Sequence, residues 1–420
     1  MKKIFTISDH PLSPSGVGTQ TKFFIEGLIG TGEYEVFSLA GAIKHHDYSM
    51  IVPEEHGGRW KILPVDGYGT QDLVREIIAN EKPDLLWFMT DPRFWGWLWE
   101  IDDEIRSNIP MVYYHVWDNY PYPKFNKKCY DSNDVVVSIS KVTDDIVRTV
   151  SPDVEVIYHP HAVPNNIFTP QVDKNRTRKL KELIYEKSPH RADYFTFFWN
   201  SRNARRKQSG SLLFWFKGLI ERLGHNNVNL IMHTDVKDPH GQDLEAIIRE
   251  LDMLNGEVVF STAKLDMKNL AMMYSLSDCT IAVSDAEGFG LSIQESLSCA
   301  VPVICTMTGG MQEQVYDGEQ YFGIGIHPSS KAIIGSQEIP WIYEDRLNGD
   351  DVIDAMEKLY KMPKDELEIL GAKGREHVLK NYSFEKYQSG WKEIVEGVLE
   401  KYGRWDTRKN YDRWTIREVK

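Results

Sequence analysis

Cysteine is scarce in this chain. Cys129, Cys279, Cys299 and Cys305 are the only four in 420 residues, and no two form a Cys-x-x-Cys pair. That excludes a disulfide framework and leads us to expect reduced thiols and a cytoplasmic location. Positive charge is also in deficit. Against 62 Asp and Glu stand 49 Lys and Arg, a net charge of -13, which excludes a general polyanion binder but leaves room for a local basic patch. No apolar run approaches the roughly 18 residues that a transmembrane helix needs. The opening MKKIFTISDH has only a brief apolar stretch and reads as a first β-strand rather than a signal peptide. No His, Cys, Asp or Glu cluster shows zinc or calcium spacing, so no metal site is expected. Internal repeats and low-complexity segments are missing too.

What is present is an alternation. Short apolar runs, which read as strands, occur at Lys3–Ile7, Tyr34–Ser38, Leu85–Phe88, Met111–His115, Val135–Ser138 and Val154–Tyr158. The second half repeats the pattern at Tyr194–Trp199, Val228–His233, Glu257–Phe260, Cys279–Val283 and Pro302–Cys305. Amphipathic segments such as Thr19–Leu28, Gln71–Asn80 and Ser211–Leu223 lie between them. Strands alternating with helices predict α/β architecture with parallel sheets covered on both faces. The rhythm breaks at a polar, Pro-bearing stretch around Pro164 to Asp193. The expected organisation is therefore an N-terminal Rossmann-like domain (1–170), a linker (171–192), a second Rossmann-like domain (193–385), and a C-terminal helix and tail (386–420) packing back on the first domain. Ligands of such sheets bind at the carboxyl ends of the strands, and with two facing domains the cleft between them is the expected site.

Three constellations stand at strand ends. Gly16-Val17-Gly18 follows the first strand, where a close backbone approach and the free N–H groups of a helix start favour an anion. Arg202 and Lys207 follow the strand ending near Asn200, cations suited to phosphate oxygens. SDAEGFGLSIQES places Glu287 in a loop and Glu295 about one turn into the next helix, with Gly288, Phe289, Gly290 and Leu291 between. Carboxylates beside an anion site make sense when each accepts hydrogen bonds from hydroxyls. A diphosphate flanked by a sugar and a ribose meets that demand.

These residues carry a resemblance. Glu287-x7-Glu295 in EGFGLSIQES resembles the donor-site motif of retaining GT-B glycosyltransferases, family 4 in particular. SPSGVGTQ, HPHAVPNNIFTP, WNSRNARRK, VPVICTMTGGMQEQVYDGE and GREHVLKNYSFEKYQSGW resemble further family segments in the expected order, over most of the chain. Two departures stand out. The family's glycines before the Arg and after the Lys are Ser201 and Gln208 here, and its Pro-Asn/His-Gly-Val-Asp reads Pro160-His161-Ala162-Val163-Pro164. The aromatic-rich first half also looks like glycosyltransferases encoded by tailed bacteriophages.

The resemblance implies two facing doubly wound domains with the donor site in the cleft. It also implies retaining, metal-independent transfer of a hexose or pentose from a nucleotide-diphosphate sugar, with no cofactor. Arg202 and Lys207 would hold the diphosphate, Glu295 the ribose and Glu287 the donor sugar. Gly16–Gly18 and Gly288–Leu291 would offer backbone contacts. His115, at a strand end where the family often carries an active-site histidine, would touch the donor sugar or position the acceptor. Asp91, Arg93, Asp118 and Tyr120 are candidates for the acceptor side. No Asp-x-Asp occurs to clamp a metal on the diphosphate. The expected acceptor is a hydroxyl of a glycan or small molecule. The alternatives are a hydroxymethylated base in phage DNA, which Lys124, Lys127 and Lys128 would help to hold, and, in place of transfer, a nucleotide-sugar epimerase of similar fold.

Overall fold

The computed structural model describes residues 1–171 and 173–411. The last residues of the expected tail, 412–420, lie outside the described residues. Two compact units emerge: Met1–His161 together with Glu385–Lys420, and Ala162–Phe384.

The first unit holds seven strands: β1 Lys2–Asp9, β2 Tyr34–Gly41, β3 Trp60–Pro64, β4 Leu85–Met89, β5 Met111–His115, β6 Val135–Ser138 and β7 Glu155–Tyr158. Their order is β3-β2-β1-β4-β5-β6-β7, parallel throughout, so the winding direction reverses between β1 and β4. Runs such as LLWFM and VVVS are buried at every position, as strands covered on both faces require. The helix Phe384–Tyr402 closes one face. Trp391 on it meets Phe24, Trp87 and Tyr114 at ring centroid distances of 4.9, 5.9 and 4.8 Å.

The second unit holds β8 Phe195–Asn200, β9 Val228–His233, β10 Val258–Ser261, β11 Cys279–Ala282, β12 Val303–Thr306 and β13 Gly323–Ile326. The order β10-β9-β8-β11-β12-β13 reverses between β8 and β11. A separate antiparallel hairpin follows, β14 Ser330–Ile334 and β15 Ile342–Arg346. These two strands, β3 and β13 do not stand out in the sequence. SKAII and IYEDR mix polar and apolar residues, GIGI is half glycine, and WKILP ends in proline.

The division between units differs from the expected one. The segment expected as a linker belongs to the second unit, where it forms the helix Lys174–Ile184. Val163, Phe168 and Tyr185 are buried there against Phe198, Ile231 and Tyr274, with Leu180 and Ile184 packed alongside. On that helix Leu180 and Ile184, four positions apart, are apolar anchors among polar residues. No helix among the described residues is long and apolar enough to cross a membrane.

Candidate functional site

In each sheet the reversal of winding opens a crevice at the carboxyl ends of the strands, where loops diverge to opposite faces. In the second unit the strands flanking that point are β8 and β11, and the expected donor residues sit in the segments that follow them.

After β8 the chain makes a short 3-10 turn, Arg205–Lys207, and enters the helix Ser209–Leu223 through Gln208 at φ +57°. A left-handed residue here is where glycine costs least. Gln208 recovers part of that cost through its side chain, which donates from Nε2 to Asp285 Oδ2 at 2.6 Å and accepts from Ser211 Oγ at 2.5 Å. After β11 the loop 283–290 reaches the helix Leu291–Ser298 through Gly290 at φ +91°. A Cβ on Gly290 would lie 2.7 Å from Met311 Cγ, so both backbone angle and space demand glycine.

Glu287 and Lys207 form an ion pair across these two segments, and Arg206 Nη1 lies 3.5 Å from the same carboxylate. Arg206 also donates to Ala286 O at 2.6 Å. Burial would raise the Glu287 carboxyl, but Lys207 and Arg206 outweigh it and hold it below its ordinary value. It is therefore a charged acceptor beside two cations.

Glu295 has the opposite character. It accepts from Tyr274 Oη at 2.6 Å and from Asn200 Nδ2 at 3.4 Å. Burial dominates and pushes its pKa up to about 7 despite both hydrogen bonds. The loop and the helix that follows it thus carry two carboxylates with divergent protonation, set chiefly by a lysine in one case and by desolvation in the other.

Arg202 does not join Lys207. Its guanidinium grips Asp238, which follows β9, at 2.6 and 3.1 Å, and reaches His240 Nδ1 at 2.8 Å. Asp238 is driven down to about 2 chiefly by this pairing. Holding a diphosphate with Arg202 requires that pair to open or be shared.

In the first unit, the helix begins at Gly16 rather than Thr19, because Ser15 caps it by accepting from Gly18 N at 2.9 Å. Gly18 is a packing glycine: a Cβ there would lie 2.6 Å from His10 O. Val17 is half-buried and Gly16 exposed. His115, expected to touch the donor sugar or position the acceptor, lies in the interior of the first unit. Its ring is 0% exposed, packed between Tyr113 and Tyr130, with Nε2 at 3.0 Å from Tyr130 Oη. Burial drives it down to about 3, so the folded chain holds its ring neutral. Asp91 is tied to Arg93 at 2.9 Å, and Tyr120 donates to Asp145 at 3.0 Å; with Asp118 they are partly or fully exposed. In the basic patch, Lys127 pairs with Asp131 at 2.9 Å.

The sequence alone did not point to Tyr274, Arg206, Asp238 or Asp285 as parts of this region. Tyr274 lies 21 positions before Glu295 on another helix, with no local signal to connect them. Asp285, two residues before Glu287, was the nearest to being visible. Among the described residues no group of three or more His, Cys, Asp or Glu converges as a metal site would.

Comparison with known proteins bears on the fold. Residues 181–346 match the family model described as glycosyl transferases group 1. A curated relative, N-acetyl-alpha-D-glucosaminyl L-malate synthase of Bacillus anthracis, is 24% identical over 131 residues, 31% of this chain. The match spans 29% of that protein, less than a third of its length. Sucrose-phosphate synthase from Thermosynechococcus elongatus superposes with a TM-score of 0.76 at 17% identity, covering 96% of this chain and all of that one. A glycosyltransferase from Rickettsia africae gives 0.71 at 17% identity, covering 95% and 99%. Anabaena HepE, solved in complex with UDP and glucose, gives 0.70 at 13% identity, covering 94% and 100%. The chain has the GT-B fold of these structures.

Proposed function

We propose that the chain is a glycosyltransferase that moves a sugar from a nucleoside diphosphate donor to a hydroxyl acceptor, with retention at the anomeric carbon and without a bound metal. The observation that carries this reading is the pairing of Lys207 with Glu287 between the segments that follow β8 and β11, with Glu295 on the helix after that loop held by Tyr274. All of these residues fall within the stretch matching glycosyl transferases group 1.

The chemistry follows from the charges. Breaking the anomeric bond leaves positive charge on the sugar and adds negative charge to the departing diphosphate. Lys207 and Arg206, already fixed by Glu287, are preorganised for that negative charge, and so are the N–H groups at Gly288–Leu291. Fixed donors of this kind contribute on the order of 3 kcal/mol each to such a transition state. Glu287, held ionised, accepts from sugar hydroxyls, and Glu295 accepts from ribose hydroxyls. The acceptor's proton passes to a leaving phosphate oxygen on the face the diphosphate vacates, which gives retention without a protein nucleophile.

UDP is the first nucleotide to test, because HepE was solved with it. UDP, GDP and ADP would be titrated calorimetrically into the wild type, Lys207→Ala and Glu295→Ala. One nucleotide is expected to bind, and each variant to weaken it by roughly tenfold or more, as loss of a charged hydrogen bond does. Wild-type affinity in both variants, or no binding of any of the three, overturns the reading. Retention is checked separately by the anomeric signal of the first product formed.

A further inference from the structure

Arg205 is a neighbour of Lys207, yet its charge is directed away from Glu287. Its guanidinium makes a bidentate pair with Glu344 on β15, at 2.8 and 2.6 Å. Arg346, two residues along the same strand, reaches Glu344 at 3.1 Å and Asp285 at 2.8 Å. Asp285 accepts from Gln208 at 2.6 Å. Backbone bonds complete the connection, from Asp285 N to Arg206 O at 2.8 Å and from Asp345 N to Asp285 O at 2.9 Å. One strand of the hairpin is therefore joined both to the 3-10 turn that carries Lys207 and to the loop that carries Glu287.

The charges in this network are costly to place unless they are paired. Glu344 and Asp285 are each only 3% exposed, a burial that an isolated carboxylate does not tolerate. Burial would raise the Glu344 carboxyl, but Arg205 and Arg346 hold it below its ordinary value. A two-stranded hairpin is marginal by itself. Within its two strands Glu344 alone is buried, and Ile333 is 69% exposed. The ion pairs that hold the hairpin in place are the same ones that hold the two segments.

We propose that Glu344 and Arg346 are positioning residues: through Arg205 and Asp285 the β14–β15 hairpin fixes Lys207 and Glu287 in the geometry that receives a diphosphate and its sugar. This rests on the donor-site reading above. Neither residue touches the ligand in this scheme; each acts through the segment it holds.

Two measurements test it, using Arg205→Ala, Glu344→Gln and, as a control at an exposed hairpin position, Ile333→Ser. The first is amide hydrogen exchange of the full chain without ligand. Segments 205–208 and 283–290 are expected to exchange faster in Arg205→Ala and Glu344→Gln but not in Ile333→Ser. Unchanged exchange there in both variants overturns the proposal, whatever the protein binds. The second is UDP affinity. Each of the two variants is expected to weaken UDP by roughly tenfold, as loss of positioning does, but to add less than about twofold in a Lys207→Ala background. Fully additive losses would mean general destabilisation and would also sink the proposal. If the wild type binds no nucleotide, the donor-site reading fails, and the exchange experiment still decides whether the hairpin orders the two segments. Arg205 is 54% exposed on its side chain, so its replacement gives a folded test even if Glu344→Gln does not fold.

Discussion

The Tyr274 hydroxyl donates to the Glu295 carboxylate at 2.6 Å, and yet that carboxyl is pushed up to about 7. Desolvation wins over the hydrogen bonds from Tyr274 and Asn200 because the group is enclosed. The folded pKa lies above the ordinary 4.5, so the favourable, protonated state is complete below that value and its contribution is lost as pH rises through about 7. Glu295→Gln is therefore expected to match the wild type in acid and to exceed it above neutrality. The gain is on the order of 1–3 kcal/mol, since a tenfold change in proton affinity corresponds to about 1.4 kcal/mol. The same variant should lose nucleotide binding. Denaturant unfolding between acid and mildly alkaline pH checks the first part, and a variant no more stable than wild type at about pH 8 contradicts it.

Arg202 offers a second test, since Asp238 holds it at 2.6 Å. The Arg202 side chain is 59% exposed, and pairs of that kind are worth roughly 0.2–1 kcal/mol. If Arg202 turns to a diphosphate, Asp238→Asn should strengthen UDP binding by up to about fivefold and Arg202→Ala should weaken it. Weaker binding in Asp238→Asn would show that the pair is retained in the complex.

His115 is expected to matter for stability and not for transfer. Its pKa is driven from 6.5 down to about 3, so the folded protein resists protonation that the unfolded chain accepts. Its cost is absent above 6.5 and grows as pH falls towards about 3. Relative to its own stability at neutral pH, His115→Leu should lose about 2 kcal/mol less than the wild type by about pH 5. Its kcat/KM at neutral pH should stay within about twofold of wild type, since a core swap of similar volume perturbs little. A large fall in kcat with unchanged stability would place His115 in the active site.

Gly290 combines φ +91° with a Met311 contact that leaves no room for a methyl group. Gly290→Ala should cost about 1–3 kcal/mol and displace the start of the helix that carries Glu295. Adding Met311→Ala should restore only the steric part, which thermal melts of the single and double variants would separate.

The alternation of apolar runs and amphipathic segments was enough to establish the parallel sheets, because a strand buried on both faces must be apolar along its length. VVVS and LLWFM are such runs, and both are strands buried at every position. The GT-B resemblance was equally legible, since Glu287, Glu295 and Lys207 lie in short local motifs at strand ends. Tertiary structure decided the rest. His115 ends a strand in the expected way, but only the packing of Tyr113 and Tyr130 reveals that it is enclosed. Arg202 and Lys207 are five residues apart and look equivalent, yet one is taken by Asp238 and the other by Glu287, partners 36 and 80 positions away. The hairpin ties are more distant still, with Arg205 and Glu344 separated by 139 residues. Local sequence determines which backbone forms and where a loop must open. Which charge meets which, and so which carboxyl stays ionised, is settled by pairings and burial that only the folded chain brings about.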